Sequence, residues 1–313
     1  MLNKIKINRY YIVMIVISIL SITSVIIGYF GTKYKFLEYD KFLKKSNTIN
    51  NILEPGYIPN NFTHIEGYIN TGYVIQDNIG NQFVWVPVDD NIIKMARVDF
   101  FTSGVLNFTD FIDEENIVFL NSVKKYKGFY IGRYESGKLD NKLVIKKNVD
   151  VYNKISPEDA LSLSKSMYEF NSFEVHSDLI NSYAWDTTCI WLSDVKNVEL
   201  KNRSYIKDST NMGNYTSMLM KTGNNEAYKT KNIYDLAGNV AEITSEQYKV
   251  NIYDQNGNIA VKGDLEKNNM VETERGGYYN GMVTGLNAPT SMRIYQLYKF
   301  LPEVVGFRVI LYK

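Results

Sequence analysis

The chain holds a single cysteine, Cys189, and only two histidines, His64 and His176. With one thiol no internal disulfide can form, so the fold must be held by its core and turns. Cys189 as a nucleophile would need an activating base, which makes the two histidines the only ordinary candidates. It lies in SYAWDTTCIWL, where Trp185, Cys189 and Leu192 recur at the spacing of one helical face, so a buried small side chain is the expected role. Scarce histidine also weighs against a conventional metal hydrolase, and neither copper nor zinc is expected. A charge surplus is missing too: 35 Lys and Arg against 34 Asp and Glu leave +1. No long-range basic field exists, and nucleic acid is excluded as a natural partner. With 45% hydrophobic and 22% charged residues, disorder is excluded as well.

What is present begins with the uncharged run YYIVMIVISILSITSVIIGYF, residues 10–30. As a helix, at about 1.5 Å per residue, it is long enough to cross the roughly 30 Å hydrocarbon layer. Lys4, Lys6 and Arg9 precede it. Their excess puts residues 1–9 in the cytoplasm and everything after Phe30 outside. The rival is a cleaved signal peptide, but the apolar region is longer than such segments use and no small-residue cleavage site follows. A single-pass membrane protein is therefore expected, with the bilayer as a partner.

Residues 31–60 read as a stalk, polar and turn-forming around Pro55, Gly56 and Pro59, and 61–313 as the exported domain. GYVIQDN and QFVWVPV read as a hairpin, with Asn78, Gly80 and Asn81 supplying positive backbone angles. GFYIGRYE and KLVIKKN are further strands. Ser156, Pro157, Glu158 and Asp159 start a helix that continues to about Phe170, and a second helix spans Trp185 to Leu192. Strands return at NVAEIT, QYKVNIY, NIAVKG and VGFRVILY. Strands, two helices, long loops and strands again give an α+β class.

The ordered set FYIGRYE, YNKISPEDALSLSKSM, the Trp185 helix, NIYDLAGNVAEITSE, ERGGYY and VGFRVIL resembles the formylglycine-generating enzyme, or sulfatase-modifying factor, family. The resemblance runs from about Asn81 to Lys313 and is nearer to bacterial and prophage-associated members than to the enzymes. It implies a variant C-type-lectin-like fold. The family's enzymes bind copper through two cysteines, whose positions here are Gly281 and Leu286, and Tyr278 stands where a serine is usual. That chemistry is absent. Other relatives hold iron with a histidine cluster, which His64 and His176 cannot form. Acid pairs such as Glu114 with Glu115, or Asp235 with Glu242, lack a visible nucleophilic partner.

The resemblance also implies calcium, held by the side chains of Asp235 and Glu242 and the carbonyls of Gly238 and Val240. Four oxygens fall short of the usual 6 to 8, so waters or another loop would complete the shell. The alternative is that Asp235 caps its own turn and Glu242 is a solvated strand residue. Family members often carry tryptophans where this chain has Ala241 and Ile243, leaving either a refilled core or a new groove. Arg275, before Gly276 and Gly277, and Arg308 are each expected to pair with a carboxylate or carbonyls. Among 25 tyrosines, Tyr278, Tyr279, Tyr295 and Tyr298, with Asn280, fall in the loops that face ligands in lectin-like folds. The resulting expectation is a membrane-anchored, non-catalytic extracellular domain that recognises a glycan or a surface protein. The alternatives are a divergent exported enzyme of the same family and a phage-encoded or variable-loop surface binder.

Overall fold

The computed structural model describes residues 54–88, 98–99, 107–108, 116–193, 205, 209–249, 270–280, 290–291, 293–295, 299 and 301–313. The expected anchor at 10–30, most of the stalk, Glu114, Glu115 and the NIAVKG strand lie outside them. Among the described residues no helix is long and apolar enough to cross a membrane.

The chain runs through β1 (Phe62–Glu66), β2 (Val74–Asp77), β3 (Gln82–Pro87), the short strands β4 (Val98–Asp99) and β5 (Asn107–Phe108), then α1 (Ile117–Tyr126). Next come β6 (Gly128–Gly132), β7 (Gly137–Leu139), β8 (Lys142–Val144), β9 (Asp150–Val151), α2 (Pro157–Lys165), α3 (Phe170–Phe173), β10 (His176–Leu179) and α4 (Ser182–Leu192). The last part holds β11 (Lys229–Thr230), β12 (Ile233–Tyr234), β13 (Ala241–Lys249), β14 (Met270–Arg275), β15 (Ile294–Tyr295), β16 (Val305–Phe307) and β17 (Val309–Tyr312). The class is α+β.

Two sheets carry most of this. A six-stranded antiparallel sheet has the order β1-β2-β3-β6-β17-β10, and a four-stranded sheet the order β15-β14-β13-β16. In the second sheet β13 and β16 run parallel. The expected single strand VGFRVILY is therefore two strands in two sheets, and Arg308 is the residue between them. The reason is local: Val305 and Phe307 pair with Ala241 and Ile243, whereas Ile310 and Leu311 pair with Ile131 and Tyr130. Conversely, the AEIT of NVAEIT and QYKV, expected in separate strands, lie in the one strand β13, which absorbs a register shift between Ile243 and Gln247.

The expected hairpin forms, with Val74 opposite Val84. Gly80 supplies its positive φ of 93°, and neither Asn78 nor Asn81 adopts one. The turn is held instead by Asp77, whose Oδ1 accepts from the backbone N–H of Ile79 at 3.0 Å and of Asn81 at 2.8 Å.

Helix α2 begins as expected, with Ser156 Oγ accepting from Asp159 N at 3.1 Å and Pro157 at the first helical position. It stops at Lys165, earlier than expected. Near its end the hydroxyls of Ser164 and Ser166 donate back to the carbonyls of Ala160 and Leu163, an interaction that competes with helix propagation. In α4 all the residues are buried, so Trp185, Cys189 and Leu192 do not mark a single buried face. Helix α1 was not expected. Its N-cap makes no side-chain bond, and the helix is fixed by packing of Phe119 and Val123 and by Lys127 closing it in the left-handed conformation.

The domain also starts before residue 61. Tyr57 is buried against Trp85, Tyr126 and Tyr130 in edge-on contacts, donates its hydroxyl to Leu311 O at 3.1 Å, and accepts on its carbonyl from Tyr130 at 2.8 Å. Tyr57 and Pro59, assigned to the stalk, are thus buried, while Ile58 and Asn60 between and after them stay exposed. Tyr57→Ala is expected to destabilise the protein by about 3 kcal/mol in urea unfolding. A change within experimental scatter would return residue 57 to the stalk.

Candidate functional site

The motif IYDLAGNVAEI becomes a turn followed by a strand. Asp235, Gly238 and Asn239 have φ of 53°, 72° and 60°, all left-handed. Asparagine and aspartate tolerate that region, and Gly238 is required by contact as well: a Cβ there would sit 2.4 Å from the carbonyl oxygen of Asn214. The close approach stitches this turn to the 214 segment, with Asn239 N donating to Asn214 O at 2.7 Å and Gly238 N to Gly276 O at 2.8 Å.

Asn239 is the hub. Its Nδ2 donates to Glu135 Oε2 at 2.6 Å and to Met220 O at 3.2 Å, and its Oδ1 accepts from Asn214 Nδ2 and Met220 N, each at 2.9 Å. Every polar position of the amide is used. Glu135 also accepts from Val240 N at 3.2 Å. One Asp235 oxygen accepts from Gly223 N at 2.8 Å, which matches the turn-capping alternative in kind, although the partner is a distant loop.

Glu242 is fully buried rather than solvated. Arg308 Nε donates to its two oxygens at 3.0 and 2.9 Å, and Nη2 reaches Oε1 at 2.6 Å. The same guanidinium donates to Gly132 O at 2.9 Å and Tyr234 O at 3.1 Å. The expected pairing of Arg308 with a carboxylate and carbonyls is what forms. Three buried carboxylates, Glu135, Asp235 and Glu242, thus neighbour one buried guanidinium. Burial, then the negative charges of Asp235 and Glu242, push Glu135 well above the usual carboxylate range. Burial pushes Asp235 up to about 6, against the Gly223 N–H and Arg308.

For a calcium ion the fit is divided. The surplus negative charge suits a cation at Asp235 and the carbonyls of Gly238 and Val240. Glu242 is the member that does not fit as a free ligand, since both its oxygens already accept from Arg308. Among the described residues no group of three or more His, Cys, Asp or Glu side chains is arranged to hold a metal.

A second buried network lies behind β14. Arg275 pairs with Asp186 and donates to Ser291 O at 2.7 Å, while Arg293 donates to Glu246 and Asp186 at 3.0 Å. Arg275 therefore pairs as expected. Gly276 and Gly277, both at positive φ, turn the chain after it. The two histidines lie at opposite edges of the six-stranded sheet, His64 on β1 and His176 on β10. His64 stacks on Tyr73 and His176 on Tyr312. Cys189 is buried, and burial pushes its thiol well up, away from the reactive thiolate.

Of the expected ligand surface, Tyr278 and Tyr279 are half-buried against the core and Asn280 is exposed. The loop is pinned by Tyr279 N donating to Asn239 O at 2.9 Å and Asn280 N to Thr216 O at 2.6 Å. Tyr295 lies on β15, and Tyr298, Gly281 and Leu286 fall outside the described residues. Ala241 and Ile243 are fully buried in the main core cluster, so of the two expectations for these small side chains it is the refilled core, not an open groove, that is found. Sequence reasoning missed Glu135 and Asn239. Each is an ordinary polar residue beside a strand end until the fold brings the two together.

No protein-family model matches the chain, and no curated protein matches it.

Because Asp235 holds its proton more tightly folded than unfolded, that stabilisation is full below the unfolded pKa and is lost as pH rises through about 6. Asp235→Asn stays neutral and tolerates the left-handed backbone. Relative to wild type, the variant is expected to gain roughly 2 kcal/mol between about pH 4 and pH 7 in calcium-free urea unfolding. A difference that does not vary with pH would contradict the assignment.

Proposed function

We propose that the protein is a membrane-displayed recognition module of the sulfatase-modifying-factor type, with a C-type-lectin-like fold outside the cell, that binds a glycan or a surface protein without catalysing its conversion. The ordered motifs and the uncharged run at 10–30 support the placement. The observation that carries the function is how the ionisable groups are committed: Glu242 to Arg308, Arg275 and Arg293 to Asp186 and Glu246, and Cys189 to the core. Groups held in this way build a rigid frame and have little capacity left for proton or acyl transfer.

The frame fixes the loop of Tyr278, Tyr279 and Asn280 through the backbone of Asn239 and Thr216. A loop fixed before binding loses less entropy when a ligand arrives. Calcium has a structural role here: Asp235 and the carbonyls of Gly238 and Val240 hold it with waters completing the shell, Glu242 stays with Arg308, and the ion offsets the buried acid surplus.

The test uses the full chain in lipid nanodiscs, screened against arrayed glycans and bacterial surface proteins with calcium or with chelator. Binding is expected, weakened roughly tenfold by Tyr278→Ala combined with Tyr279→Ala, and stronger with calcium. Parallel assays with thiol peptides plus copper and with sulfated substrates are expected to give no turnover. Turnover in either would overturn the proposal in favour of a divergent enzyme.

A further inference from the structure

In a chain that is 22% charged, residues 209–220 and 276–292 hold no charged side chain at all. The fold brings the described parts of these two stretches together. Asn280 N donates to Thr216 O at 2.6 Å, the Tyr215 hydroxyl to Gly276 O at 3.0 Å, and Thr290 N to Ser209 Oγ at 2.7 Å. A Cβ on Gly277 would come within 2.9 Å of the Tyr215 ring, so the two are packed closely as well as hydrogen-bonded.

The polar side chains of this seam are turned into it. Asn214 Oδ1 accepts from Thr216 N at 3.1 Å and from the Thr216 hydroxyl at 2.6 Å, and its Nδ2 donates to Asn239 Oδ1 and Met218 O, each at 2.9 Å. Met220 N donates to Asn239 Oδ1 at 2.9 Å. The backbone is thus tied on both sides of Leu219, and what the tied loop displays is apolar: Met218 is 70% exposed and Leu219 36%. Met220, Tyr278 and Tyr279, in the same two stretches, are half-buried. The next charge along the chain, Lys221, pairs with Asp150 at 3.5 Å.

Single exposed apolar residues are ordinary on a protein surface. Two in succession on a tied loop, with no charge in either stretch, match the core of a protein interface, which is depleted in charge and enriched in Met and Tyr. The loop is ordered before binding, and the thioether of Met218 adapts to the shape it meets. A sugar would instead need several convergent donors and acceptors, whereas Asn214, Tyr215 and Thr216 direct theirs into the seam. A charged partner would find no counter-charge in these stretches. We propose that the ligand is a protein, and that an uncharged apolar segment of it docks on Met218 and Leu219 together with the tyrosine loop. This narrows the recognition function, on which it rests, from two ligand classes to one.

The full chain in lipid nanodiscs is applied to arrayed synthetic peptides graded from apolar to charged, and to arrayed glycans, at low and at high salt. Uncharged peptides rich in aliphatic and aromatic residues are expected to bind, with no loss at high salt because no ion pair is involved. Met218→Asp is expected to weaken that binding about tenfold and Met218→Leu to retain it, with the urea midpoint of both at wild type because the side chain is exposed. Lys221→Gln is expected to change nothing. Retention of glycans without peptides overturns the inference and leaves the recognition function standing. Peptide binding that favours charged sequences, falls with salt or survives Met218→Asp does the same. Retention of neither peptides nor glycans overturns both.

Discussion

The pairing of Arg308 with Glu242 is the constraint on which the rest of the fold depends. Arg308 sits where the chain leaves one sheet for the other, between β16, which runs beside β13, and β17, which runs beside β6. Its side chain reaches an acid on β13, a carbonyl at the end of β6 and a carbonyl on β12. One guanidinium thus joins three separately hydrogen-bonded strand systems. A lysine could not do the same, since it lacks the planar fork that satisfies a carboxylate and two carbonyls at once. Buried ion pairs of this kind fix arrangement more than they add stability, because both partners lose their hydration.

The surroundings follow from that choice. With Glu242 held, the remaining buried acids, Glu135 and Asp235, have no guanidinium of their own. They are met by dipoles instead: the Asn239 amide, the Val240 N–H and the Gly223 N–H. This requires the 214, 223 and 239 segments to come together, which explains the left-handed turn and the glycine at 238. The same turn then anchors the tyrosine loop through Asn239 O. A chain of contacts therefore runs from a charge pair in the core to the surface proposed to meet a ligand.

Much of the fold was legible in the sequence where the signal is local. The β2–β3 hairpin, the Ser156 cap and the buried Cys189 rest on neighbouring residues, and they were read correctly apart from the asparagines of the hairpin. What was not legible depended on distance along the chain. The break at Arg308 lies inside a continuous apolar alternation, and only the different partners of its two halves reveal it. Tyr57 looks like a stalk residue until Leu311, from the far end of the chain, accepts its hydroxyl. Glu242 reads equally well as a metal ligand or a solvated strand acid, because the residue that pairs with it is remote in sequence. Helix α1 has β-branched residues and no side-chain cap, so its stability comes from packing that a local reading cannot see.

The most direct measurement is a double-mutant cycle of Arg308→Met and Glu242→Gln, read by urea unfolding of the full chain at neutral pH. Each single variant is expected to lose about 3 to 5 kcal/mol, because it leaves its partner buried and unpaired. The double variant is expected to be no less stable than either single, giving a coupling of about 3 kcal/mol. Additive losses, with no coupling between the two positions, would contradict the account.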